Sequence, residues 1–122
     1  MSAKIQNYTD LDVWLKSRKL AKSIYQITKD FPKEELYGLV NQMRRSAVSI
    51  CSNIAEGCGR QTNKDTIHFL YIARGSAYEI ETQLYISRDL NYINEEKLEC
   101  VLEEIEDCKK LINGFINYYK KL

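Results

Sequence analysis

With 122 residues the chain is long enough for one hydrophobic core and short for two, so a single domain over 1–122 is expected. Hydrophobic content of 44% and charged content of 29% are those of an ordinary globular protein, while one proline and five glycines leave little punctuation for a β-rich fold. No run of about 18 apolar residues is present to span a membrane, and the N-terminal MSAKIQNYTD has no apolar signal region, so a cytoplasmic protein is expected.

The first helix is predicted from about Asp10 to Phe31, with Thr9 or Asp10 as N-cap and Pro32 enforcing the stop. Its apolar arc is Val13, Leu20, Ile24, Ile27 and Phe31, widened by Trp14, Ala21 and Tyr25. Lys16, Lys19, Lys22, Lys29 and Lys33 fall on the opposite arc. A second helix is predicted from near Glu35 to Gly57. Within it Val40, Met43, Ala47, Ile50 and Ile54 recur by threes and fours, the period of a helix face packed in a bundle. Ser46, Ser49, Asn53 and Glu56 form an adjoining small-polar face, and small side chains let a neighbouring backbone come close.

The third helix starts after Thr62 or Asn63 and reaches about Leu90, with Leu70, Ala73, Ala77, Ile80 and Leu84 in one seam. Gly75 and Ser76 sit in mid-helix, where glycine costs about 1 kcal/mol relative to alanine; a close helix approach there would explain the cost. With Glu79 and Gln83 they make a second small-polar ridge, predicted to face the first, with Arg45 and Arg74 near enough to neutralise Glu56 and Glu79. Tyr71, Tyr78, Tyr85 and Tyr92 recur every seven residues with Arg74 and Arg88 interleaved, which suits a core edge, a subunit contact or stacking on RNA bases. The fourth helix follows Asn94 and carries Leu98, Val101, Ile105, Cys108, Ile112, Phe115, Tyr119 and Leu122. Alternating threes and fours of this length, with short connections, predict an all-α, antiparallel up-down four-helix bundle.

RRSAVSICSNIAEG at 44–57 and FLYIARGSAYEIETQL at Phe69–Leu84 closely resemble the 23S rRNA intervening-sequence proteins, and the resemblance runs from Leu11 through the last helix. It implies a four-helix protomer assembled into a ring, commonly of five copies, with no known reaction. It also implies an RNA-linked context, and the accessory proteins of diversity-generating retroelements look like relatives. The chain departs from the pattern at Cys51, where proline is common, and at Cys58, where an aromatic is common. Arg45, Asn53, Glu56, Gly57, Arg74, Gly75, Ser76 and Glu79 are the structural signature on this reading, and Tyr71, Tyr78 and Tyr85 the candidate interface.

Chemistry is sparse. Cys51, Cys58, Cys100 and Cys108 contain no C-x-x-C pair, and the spacings within each helix are too long for a disulfide, so free thiols are expected, with Cys58 the most exposed. The lone His68 beside Asp65 does not make a metal or di-iron site, and no phosphate loop or nucleophile elbow is present. No catalytic residue, metal or cofactor is therefore expected, and the polar ridges read as a register-fixing network. Charge is more informative: residues 1–60 hold ten basic and six acidic side chains, residues 61–122 eight and eleven, leaving +4 and −3. The lysine arc of the first helix is thus a candidate phosphate-binding strip that a ring would repeat, unless the acidic second half cancels it. The expected function is a non-enzymatic, self-associating bundle acting as an RNA-associated scaffold or nucleic-acid-binding accessory. The alternative is an adaptor that binds a nucleic-acid-processing protein, for example a reverse transcriptase.

Overall fold

Four α-helices carry the predicted periodicities in the computed structural model, which describes residues 7–122: α1 (Asp12–Thr28), α2 (Asn41–Cys58), α3 (Asn63–Asp89) and α4 (Glu95–Lys120). No strand occurs among the described residues, nor any helix long and apolar enough to cross a membrane. The reading of the N-terminal segment as lacking a signal region lies mostly outside them.

Two of the predicted starts hold. The Thr62 hydroxyl accepts the Asp65 N–H at 3.2 Å to open α3, and Asn94 Oδ1 accepts the Lys97 N–H at 2.8 Å to open α4. The first does not. Thr9 and Asp10 lie in a one-turn 3-10 helix, Tyr8–Asp10, which Asn7 caps through the Thr9 N–H at 3.0 Å. α1 then starts behind an extended Leu11 with no side-chain cap. It ends at Thr28, short of Phe31. The Thr28 hydroxyl turns back to the Ile24 carbonyl at 2.7 Å.

The second helix begins six residues later than expected, at Asn41 instead of Glu35, because Lys33–Val40 forms a 3-10 turn and then a π-type turn broken at Gly38 (φ −110°, ψ −110°). Glu35 ties this segment down. Its carboxylate accepts the Leu39 N–H at 3.4 Å and the Tyr92 hydroxyl at 2.7 Å, and Tyr92 also packs on Phe31 with ring centroids 5.1 Å apart. Tyr92 therefore leaves the tyrosine stripe and closes one end of the bundle.

One apolar cluster runs through all four helices, with Leu20, Ile24, Met43, Ile50, Ile54, Leu70, Ile80, Leu84, Ile105 and Ile112 fully buried. Each such side chain contributes about 1.5–3 kcal/mol of transfer free energy. Ile27, Phe115 and Tyr119 sit at its edge. Leu122 lies beyond the end of α4 and is exposed, and Ile116 is the buried residue near that end.

The helices meet in a fixed register. Thr66 of α3 donates to the Gly57 carbonyl of α2 at 2.8 Å, Ser76 meets Ser49 at 3.0 Å, and Ser87 meets Met43 at 3.6 Å. Later residues of α3 thus face earlier residues of α2. A Cβ on Gly57 would lie 3.2 Å from both Phe69 Cβ and the Thr66 carbonyl. Gly57 is accordingly the glycine that permits the close approach. Gly75, expected to do so, is exposed and has nothing within 4 Å of where its Cβ would be.

Candidate nucleic-acid interface

The lysines of the predicted strip are all exposed, but they do not share one surface. Lys16, Lys19 and Lys22 lie on α1, Lys29 follows its last residue, and Lys33 belongs to the 3-10 turn beyond Pro32. Lys16 and Lys19 line a groove of about 260 Å³ with Cys100, Glu103, Glu104 and Asp107 of α4. Ser23 Oγ donates to Glu104 Oε1 at 3.0 Å on the same side. Carboxylates therefore stand beside the first two lysines and offset their field.

On the other flank of α1 the surroundings are different. Arg18, Lys22, Tyr25 and Lys29 follow one another at i, i+4, i+7 and i+11, a single helical stripe. Arg18 Cζ sits 5.5 Å from the Trp14 ring. From α2, Arg44 lays its Cζ 4.7 Å above the Tyr25 ring, donates Nε–H to Thr28 Oγ1 at 2.9 Å and Nη2–H to the Tyr25 carbonyl at 3.3 Å. Asp12 is the sole carboxylate within α1 and Glu56 the sole one within α2, and Glu56 is taken by Arg60 at 2.7 Å. This seam is cationic with no acid along its middle. Arg18 and Arg44 were not among the expected residues; the four-residue step from Arg18 to Lys22 was the available signal.

The two polar ridges do meet. Ser49 and Ser76 share a hydrogen bond at 3.0 Å, and Asn53 Nδ2 donates to the Ser49 carbonyl and hydroxyl at 2.8 and 2.9 Å. The expected ion pairs are absent. Glu56 is exposed and paired with Arg60, while Arg74 donates to Asn113 Oδ1 at 3.0 Å. Arg45 and Glu79 line an open groove of about 540 Å³ with Tyr37, Asn41, Gln42, Ser46, Ser49 and Ser76.

Tyr71, Tyr78 and Tyr85 form an exposed row on α3. The first two are already engaged: Tyr71 by Arg74 at 4.7 Å and Lys120 at 5.5 Å, Tyr78 by Lys109 at 4.5 Å. A hydrogen bond from Lys120 holds the Tyr71 phenol below its ordinary pKa. Lys109 is buried between Glu81 at 3.0 Å and Glu106 at 2.6 Å. Burial pushes its pKa down, but hydrogen bonds to Glu106 and Glu81 outweigh this and leave it raised.

The four thiols are free, yet Cys100 is the exposed one and Cys58 is half-buried. Burial pushes Cys51 and Cys108 up to about 11 and also raises Cys58, so these three stay protonated and unreactive at neutral pH. His68 is exposed with its ring 5.7 Å from that of Phe69, and no cluster of three metal-ligating side chains occurs among the described residues.

The sequence profile of the 23S rRNA-intervening sequence protein matches residues 9–114, which takes in the seam and both ridges. The chain belongs to the 23S rRNA-intervening sequence protein family. A crystal structure of a protein with unknown function, from the S23 ribosomal protein family of Bacteroides thetaiotaomicron, matches with a TM-score of 0.80 at 30% identity, covering 86% of this chain and 95% of that one. No curated protein matches the sequence. In this intervening-sequence protein the matched span also includes both motifs, RRSAVSICSNIAEG and FLYIARGSAYEIETQL.

Proposed function

We propose that this intervening-sequence protein is a non-enzymatic, single-domain, antiparallel up-down four-helix bundle that assembles into a ring of five and serves as an RNA-associated scaffold. The observation that carries the RNA reading is the α1–α2 seam, where Arg18, Lys22 and Lys29 share one stripe with no acid from 18 to 29, Asp30 following at its end, and Arg44 joins the stripe at Tyr25. Such a strip neutralises phosphates without reading bases. Repetition around a ring multiplies weak contacts into useful affinity. Self-association is supported by Ile72 and Ile86, exposed at 39% and 44% on the same face of α3 as Gly75, beside which nothing lies within 4 Å of a Cβ position.

The test is RNA affinity across a salt series for the parent and for a Lys22→Glu, Lys29→Glu double variant. Both side chains are exposed, so the fold is unaffected. The parent binds at low salt with log K falling by roughly 0.7–0.9 per tenfold salt for each phosphate neutralised, and the variant binds more weakly with a shallower slope. Absence of binding by the parent, or equal binding by both proteins, overturns the RNA reading in favour of a protein adaptor.

A further inference from the structure

We propose that the α1–α2 seam takes nucleic acid in double-helical form, gripping its phosphate backbones and leaving the bases untouched. This rests on the RNA-associated reading of the same face. Proteins that hold single strands offer open aromatic rings on which successive bases stack. Trp14 and Tyr25, the rings along this seam, each have a face taken by an arginine, Arg18 and Arg44 respectively, although Tyr25 keeps 43% of its surface exposed. The rings serve instead as platforms that fix the guanidiniums.

Arg44 is held further by bonds through Nε and Nη2 to Thr28 and the Tyr25 carbonyl, bonds in which Nη1 takes no part. A guanidinium restrained in this way loses little freedom when it meets a phosphate, and its planar fork matches the phosphate oxygens. Spacing agrees. Arg18 to Lys29 is eleven residues of α1 and its cap, so the stripe is roughly 16 Å long at ~1.5 Å per residue. A duplex strand presents one charge per about 3.4 Å of axis, so a stiff helix lies along several phosphates in a row. A flexible single strand must be ordered to give the same array.

The probes are a 20-base-pair RNA duplex, a non-self-complementary RNA single strand of the same length, and the matching DNA duplex, at one low salt concentration. We expect the RNA duplex to bind at least tenfold more tightly than the single strand, with the DNA duplex within a few-fold of the RNA duplex because no 2′-hydroxyl is read. Arg18→Gln lowers duplex affinity and the salt slope by about one phosphate. Arg44→Gln does the same but also removes a link between α1 and α2. The exposed Arg18 is therefore the decisive variant, with circular dichroism confirming its helices. Equal or tighter binding of the single strand overturns the double-helical assignment and leaves the RNA reading standing. Failure of every probe to bind overturns the RNA reading itself. A duplex preference that Arg18→Gln leaves unchanged overturns the location.

Discussion

Gly57 and Gly75 look alike in the sequence, yet their surroundings assign them opposite roles. A methyl at Gly57 meets backbone and Cβ atoms that cannot give way cheaply, so Gly57→Ala is expected to destabilise by about 1–3 kcal/mol. A methyl at Gly75 meets nothing within the protomer, so Gly75→Ala is expected to gain up to about 1 kcal/mol of helix propensity. Chemical denaturation midpoints of the two variants check both signs, and light scattering shows whether Gly75→Ala costs assembly, as it must if another copy covers that face. Asn53 and Glu56 separate in the same way. Asn53 is half-buried with two bonds to Ser49, and Asn53→Ala should cost about 1 kcal/mol, whereas Glu56 is exposed and Glu56→Ala should fall within ~0.5 kcal/mol of the parent. Sequence spacing put Asn53 on the side of α2 that meets α3 but also assigned Glu56 and Gly75 to the facing ridges, and both are exposed. Which were covered depends on atoms from other helices, and no periodicity carries that.

At the scale of elements, the long helices were legible because apolar period and cap chemistry agreed at Thr62 and Asn94. The starts of α1 and α2 were not, since local 3-10 and π-type turns there answer to Asn7 and to Glu35, and Glu35 takes its second partner from Tyr92, 57 residues away. Tyr92→Phe removes the hydroxyl donor from Glu35 and is expected to lower the melting temperature. Lys109 supplies one polar link between α3 and α4, beside the Arg74–Asn113 bond and the shared core. Lys109→Ala removes the cation from between Glu81 and Glu106 and should destabilise by about 1–3 kcal/mol. Glu106 has its pKa lowered by the hydrogen bond from Lys109, so its contribution is present above the ordinary carboxylate pKa and lost as pH falls through the depressed value. Acid melts of Glu106→Gln should therefore lose part of the parent's decline in that range, while the raised pKa of Lys109 places its own loss in strongly alkaline solution.

For the whole molecule, the four-helix architecture followed from periodicity, and the family from two separated motifs. The candidate interface was only half legible. Lys22 and Lys29 keep open surroundings, but Lys16 and Lys19 are flanked by α4, because neighbours along one helix face different partners once the helix is packed. Self-association is expected to give a mass well above the 14.3 kDa protomer in light scattering at micromolar concentration. The distribution of charge has one more consequence. All seven acids of α4 fall between Glu95 and Asp107, whereas α1 holds four bases to one acid. A protein whose net charge of +1 were spread evenly would pass weakly retained through an ion-exchange column of either sign. This one should cling to both at low salt, presenting α1 and α2 to sulfonate beads and the start of α4 to quaternary ammonium beads.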